Sequence, residues 1–262
     1  MEYCLAIGLH NLYFNIALVN KDHEIVKLYR CNYDTSKDIA RCFYLAYLKY
    51  FSKYKVSFVG VSVSNNMIFR DGFIEKTTLF SLARYDLKQA LYKLFKVDIY
   101  IEEETYLASL AFSYKENIRS LLYVILDNKI SNSYVIDHSL VELEDDIDLR
   151  KNLELNEKCN KEALKSNFLC AGYDDEYLGV YFLSSDNKYK NIISDWAHSI
   201  DKALLSLNEK LPADTIVLSG YFGDYYEYFA KYLTISSKVK CLGKSDLNRQ
   251  ALIGFSHLIY KD

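Results

Sequence analysis

Three consecutive carboxylates, Glu102, Glu103 and Glu104, stand where the apolar run "VDIYI" ends and the helical spacing of "TYLASLAF" begins. A carboxylate within hydrogen-bond reach of a hydroxyl can take its proton as a general base. The run is a candidate for that role. A structural use competes: acidic side chains at a helix N-terminus are stabilised by its partial positive charge, by about 0.3–1 kcal/mol each. Thr105 can add a cap there. Asn65 and Asn66 follow the apolar "VGVSVS", at a strand end of the kind where α/β folds place ligands. They suit either ligand hydroxyls or a turn.

These groups need a scaffold. The hydrophobic pattern predicts strands over 3–9, 12–20 and 23–32, with "NKDH" as a tight turn between the last two. A helix over 35–54 follows, with Thr35 or Ser36 as its cap. Then come a buried strand over 55–64, a helix over 85–95, a strand over 97–102 and a helix over 103–114. The second half repeats this order loosely. It has a hairpin of strands 120–128 and 131–139, a further strand at 140–144 and a long helix over 192–211. A strand over 214–220, a helix over 224–233, a short strand over 238–243 and a closing helix over 248–260 complete it. Between Asp145 and Lys190 the chain is polar and offers one strand-like segment, 176–184. Two halves of like order predict an α/β fold of two lobes, 1–118 and 119–262, with a cleft between them and the final helix returning to the first lobe.

Composition narrows the function classes. Acidic and basic residues are interspersed and the net charge is −3, which leaves no basic face for DNA or RNA. No apolar run reaches the roughly 20 residues that span a bilayer, and "MEYCLAIGLH" lacks the basic start of a signal peptide. Six scattered cysteines without a close pair point to free thiols in a reducing cytoplasm. Cys159 and Cys170 lack the spacing of a zinc site.

Three segments carry a family resemblance. "DLKQALYKLFKVDIYIEEETYLASLAF" is similar to a helix, a strand and an Asn-Asp-Ala-Asn motif opening an alanine-rich helix. "SIDKALLSLNEKLPADTIVLSGYF" is similar to a helix, a Leu-Asp-Pro turn and a strand ending in paired glycines, with Pro212 in the turn. "QALIGFSHL" is similar to a closing helix. In this order they resemble the ROK family (repressors, open reading frames and sugar kinases), within the actin-like ATPase superfamily. The resemblance covers most of the chain outside the polar middle. It implies two actin-like, ribonuclease H-like lobes, and a homodimer. It also implies Glu103 at the motif's Asn and Glu104 at its catalytic Asp. His10 and His138 fall near the implied cleft, as ligand groups or as hydrogen-bonded imidazoles.

The departures from the family bear on chemistry. A ROK kinase cradles ATP phosphates with backbone N–H groups in glycine-rich turns, where side chains would block close approach. The first such turn, Asp-x-Gly-Gly-Thr, reads "AIGLH" here: Gly8 remains, while Ala6, Leu9 and His10 replace acid, glycine and threonine. Ala6 offers no oxygen to Mg²⁺. The second turn, Gly-Thr-Gly-Ile-Gly, reads "DNKIS", so its glycines are gone and Asp127 brings a negative charge toward the phosphates. The paired glycines near the adenine become Ser219 and Gly220. The family's sugar-contacting Glu-x-Gly-His segment and its zinc cluster have no counterpart, and no structural zinc is expected. Family repressors read DNA through an N-terminal winged helix, which this chain as given does not contain. The reading that follows is a catalytically degenerate ROK-like protein with a regulatory or sugar-binding role. Two alternatives stand beside it: an ATP- and Mg²⁺-dependent sugar kinase with Glu104 as base, and an interaction scaffold.

Overall fold

The computed structural model describes residues 2–10, 12–34, 38–64, 67–76, 84–173, 177–184 and 186–260. The chain forms two compact units, Met1–Phe112 with Asn248–Asp262, and Ser113–Leu247.

The first unit contains β1 (Tyr3–Leu9), β2 (Tyr13–Val19), β3 (Ile25–Asn32), α1 (Ile39–Tyr50), β4 (Val56–Val63), β5 (Ile68–Arg70), β6 (Phe73–Lys76), β7 (Tyr85–Asp86), α2 (Leu87–Phe95) and β8 (Asp98–Glu103). Helix α3 (Glu104–Glu116) begins in it and ends in the second unit. Five strands form one sheet in the order β3-β2-β1-β4-β8, and β5-β6-β7 form a small separate one. Strands β1 and β2 are buried on both faces, which explains their near-continuous apolar sequences. Edge strand β3 alternates between half-buried and exposed residues. One face of the sheet packs Leu5, Ile7, Val59 and Val61 against Phe43, Phe51 and Leu91 of the helical layer. On β4, a side chain at Gly60 would collide with the Phe255 ring, so glycine is what lets that ring lie against the strand. Helix α1 is capped by Asp38, which accepts from the Arg41 N–H at 3.2 Å. The expected caps Thr35 and Ser36 lie outside the described residues.

The second unit contains β9 (Ser120–Leu126), β10 (Ile130–Ile136), β11 (Ser139–Val141), α4 (Leu153–Cys159), α5 (Lys161–Cys170), α6 (Leu178–Leu183), α7 (Asn187–Lys210), β12 (Thr215–Ser219), α8 (Tyr226–Phe229) and β13 (Val239–Leu242). Helix α9 (Lys244–Ile259) starts in it and continues into the first unit. Its sheet, β11-β10-β9-β12-β13, repeats the first sheet strand for strand. In both, three antiparallel strands are followed by two parallel additions.

The described part of the polar middle carries helices α4, α5 and α6, and two asparagines fasten it to β10. Asn132 Oδ1 accepts from the Leu149 N–H at 2.8 Å, and Asn156 Nδ2 donates to the carbonyls of Ile130 and Leu149 at 3.2 and 3.0 Å. Two expectations are corrected here. Among its described residues, segment 176–184 contains helix α6 and no strand: Leu178, Tyr181 and Phe182 are buried at helical spacing, and that burial overrides their strand propensity. Segment 224–233 is the one-turn α8 between 3₁₀ turns.

Candidate functional site

In the first unit β1, β4 and β8 are parallel, so their C-terminal ends share one end of the sheet. The register aligns Asn15, Gly8, Ser62 and Glu102 across β2, β1, β4 and β8. Register partners point to the same face, so a polar row crosses strands that are otherwise apolar. Asn15 and Ser62 are buried. Asn15 Nδ2 pairs with His10 Nε2 at 3.2 Å, and the Tyr33 hydroxyl donates to the His10 carbonyl at 2.9 Å. The Tyr13 ring lies against the imidazole with centroids 4.5 Å apart. At Gly8 an added Cβ would find Leu252 at 3.6 Å, an ordinary contact, so strand geometry does not itself demand glycine there.

Glu103 ends β8 and Glu104 opens α3. Both are half-buried, and the Glu103 N–H donates to Glu102 Oε1 at 3.0 Å. The carboxylates therefore sit at a helix N-terminus, as the cap reading requires, and at a strand end, as the ligand reading requires. Asn65 and Asn66 lie outside the described residues. A hollow of about 460 Å³ lined by Asp71, Asp86, Tyr92 and Asp98 opens at the opposite end of β8.

The second unit carries the same row in other residues: Ser131, Ile125, Ser219 and Leu242. Ile125 stands in the place of Gly8, and Leu242 in that of Glu102. Ser219 is fully buried, and its Oγ has no hydrogen-bond partner among the described residues. The next residue, Gly220, has φ +89°, and a Cβ there would lie 2.8 Å from the Leu126 carbonyl oxygen. Only glycine fits that position without strain.

Asp127 holds the position in the β9–β10 hairpin that His10 holds in the β1–β2 hairpin, directly after the strand. Its Oδ1 accepts from the Asn128 N–H at 2.8 Å, and its Oδ2 accepts from Lys244 Nζ at 2.6 Å. The next paired residue, Ile130, donates its N–H to Asn156 Oδ1 at 3.1 Å. The Lys161 N–H donates to the Asp127 carbonyl at 3.0 Å, while the Lys161 ammonium lies 4.0 Å from the Tyr221 ring centroid. Burial, with Tyr225 and Asp127 nearby, pushes the Tyr221 hydroxyl up to about 12. The sequence reading treats Asp127 as a bare negative charge. With Lys244 on it, that charge is compensated, and the turn's N–H groups at 128 and 130 are already bonded by side chains.

His138 sits in the β10–β11 turn, where its Nδ1 pairs with Ser113 Oγ at 2.7 Å and its ring stacks on Tyr114. Its place is that of a hydrogen-bonded imidazole. Asn15, Ser62 and Ser131 escaped the sequence reading, although each is a polar residue within an apolar strand. Lys161, Lys244 and Asn156 left no local signal, because their partners lie far along the chain.

No protein-family model matches the sequence, and no curated protein matches it. Solved structures do. The ROK hexokinase from Thermus thermophilus superposes with a TM-score of 0.78 at 13% identity, covering 98% of this chain and 99% of that one. The fold is that of the ROK structures. A ROK family protein from Streptococcus pneumoniae in complex with sucrose gives 0.77 at 11% identity, with 98% of each chain covered. A ROK family transcriptional regulator, a homologue of the E. coli MLC protein, gives 0.72 at 11% identity over 99% of this chain and 80% of that one. On the ROK fold the duplicated sheets are the two actin-like lobes. Among the described residues no helix is long and apolar enough to cross a membrane.

Proposed function

We propose that this chain uses the ROK fold to bind a sugar-type effector and transfers no phosphoryl group. The observation that carries the reading is the β9–β10 turn. Phosphate cradles work by aiming unpaired backbone N–H groups at the ligand. Here the Asn128 N–H is taken by Asp127 and the Ile130 N–H by Asn156. Ala6, at the position of the family's metal-binding acid, is fully buried and carries no oxygen. The residues present do not fit a Mg²⁺–nucleotide complex.

On the sugar side the Glu-x-Gly-His segment has no counterpart, while the carboxylates of the β8–α3 joint remain. Glu103 and Glu104 stand at the β8–α3 joint, directly after Glu102, whose register row holds Ser62 and Asn15. Carboxylates and amides are suitable partners for ligand hydroxyls. The solved structure with sucrose is a ROK relative in fold, which supports a sugar-type ligand. The kinase alternative keeps one supporting feature, the position of Glu104 at the β8–α3 joint. Its side chain is one methylene longer than aspartate, and errors of about 1 Å can lower rates about 100-fold.

A coupled assay with ATP, Mg²⁺ and a panel of hexoses and N-acetylhexosamines tests the reading. We expect no turnover above that of Glu104→Gln; turnover that Glu104→Gln abolishes would contradict it. Thermal-shift screening of the same sugars without nucleotide should find one that raises Tm, since a ligand that binds only the folded state stabilises it. Silence across the panel would favour the scaffold.

A further inference from the structure

We infer that the groove between β3 and α1 docks an acidic, extended peptide, which joins the first sheet as a further strand. This site is separate from the sugar-binding reading: β3 and β8 are the two edges of the sheet, so the groove lies across it from the carboxylates of the β8–α3 joint. Among the described residues β3 pairs with β2 alone, and an edge strand leaves alternate N–H and C=O groups without a ladder partner. The register pair Phe14 and Cys31 faces α1, since Phe14 packs on Phe43 with ring centroids 4.7 Å apart. Helix α1 lines the groove with Cys42, Leu45, Ala46, Lys49 and Tyr50, at the i, i+3, i+4, i+7, i+8 spacing of one helical face. These residues bound a hollow of about 360 Å³. From Cys42 to Tyr50 the helix rises about 12 Å, the length of about four extended residues. The hollow therefore takes two alternate side chains of an added strand. Main-chain bonds to the edge would supply affinity, and the hollow would select the side chains.

Charge selects the occupant. Arg30 points to the face of β3 opposite Cys31, and Lys49 stands on the α1 wall. Among the described residues neither has a carboxylate partner; Arg30 lies 4.2 Å from the Tyr13 ring centroid and Lys49 4.9 Å from that of Tyr50. Lys27 adds a third cation along the strand, against Asp34 as the acid among the described lining residues. A second copy would set this positive edge against the same positive edge, which like-charge repulsion disfavours. An acidic strand meets no such cost. Its alternate residues would lie beside Tyr29 and Cys31 on one face and beside Leu28 and Arg30 on the other. The matching sequence alternates apolar and acidic residues: the apolar side chains enter the hollow and the carboxylates meet Arg30. Val26 and Leu28, each 43% exposed, give the same edge an uncovered apolar surface.

The probe is a fluorescein-labelled peptide of four Glu-Leu repeats, read by fluorescence anisotropy. We expect saturable binding to the native protein with a Kd on the order of 10–100 μM, weakened by salt. Leu45→Glu should bind about tenfold more weakly or worse. That variant removes an apolar wall and sets a carboxylate four residues before Lys49, a pairing that helices tolerate well. If it melts early, Lys49→Glu makes the same comparison. Lys-Leu repeats should bind at least about tenfold more weakly, and the Glu-Leu peptide methylated on every backbone nitrogen should not compete, because it cannot donate to the strand edge. Absence of saturable binding, equal binding of the lysine peptide, competition by the methylated peptide or undiminished binding by Leu45→Glu would each overturn the inference. A native dimer in sedimentation velocity that Leu45→Glu takes apart would give the groove to a second copy and overturn it as well.

Discussion

Asp127 and Lys244 lie 117 positions apart in sequence, yet their charged atoms meet at 2.6 Å. No local pattern announces such a pair, which is why the sequence shows an acid in a phosphate turn and misses its counterion. Residue-scale chemistry also predicts how the thiols behave. Burial pushes Cys159 and Cys241 up to about 12, the latter with Asp224 and Glu227 adding to the effect. Cys170 is exposed. At pH 8 a disulfide reagent should label Cys170 first and leave Cys159 and Cys241 untouched until the protein unfolds. A thiol raised in the folded state holds its proton where the unfolded chain has lost it. Stability should therefore fall as pH rises from about 9 toward about 12, and urea midpoints taken across that range check the sign.

At the scale of elements, burial on both faces made most strands legible: "YCLAIGL" and "SLLYVIL" are apolar throughout because β1 and β9 are covered on both sides. Helix α6 was not legible, because its aromatic and β-branched residues carry strand propensity while its spacing is helical. The polar middle was illegible for another reason. Helix α4 is held by buried side-chain amides as well as by an apolar face, and Asn156 alone bonds Ile130 on both its N–H and its carbonyl. Asn156→Ala should cost about 1–3 kcal/mol, since it leaves buried backbone groups unpaired. Urea unfolding followed by the fluorescence of Trp196, the single tryptophan and a buried residue of the second unit, would measure it. A loss below about 0.5 kcal/mol would show that water or repacking replaces the amide.

At the scale of the whole molecule, the two sheets share one strand order and one register, so each candidate position can be compared with its counterpart in the other lobe. The order of elements was enough to suggest two lobes, because the run of strands and helices repeats. The comparison itself needed the register, which no sequence match between the halves provides. It sets Gly8 against Ile125, His10 against Asp127 and Glu102 against Leu242, so the carboxylate lies in one lobe and the filled turn in the other. Calorimetric titration of the native protein with ATP, with and without Mg²⁺, tests that division most directly. The account predicts no saturable heat at ATP concentrations up to the millimolar range. Saturable binding of one nucleotide per chain, strengthened by Mg²⁺, would contradict it.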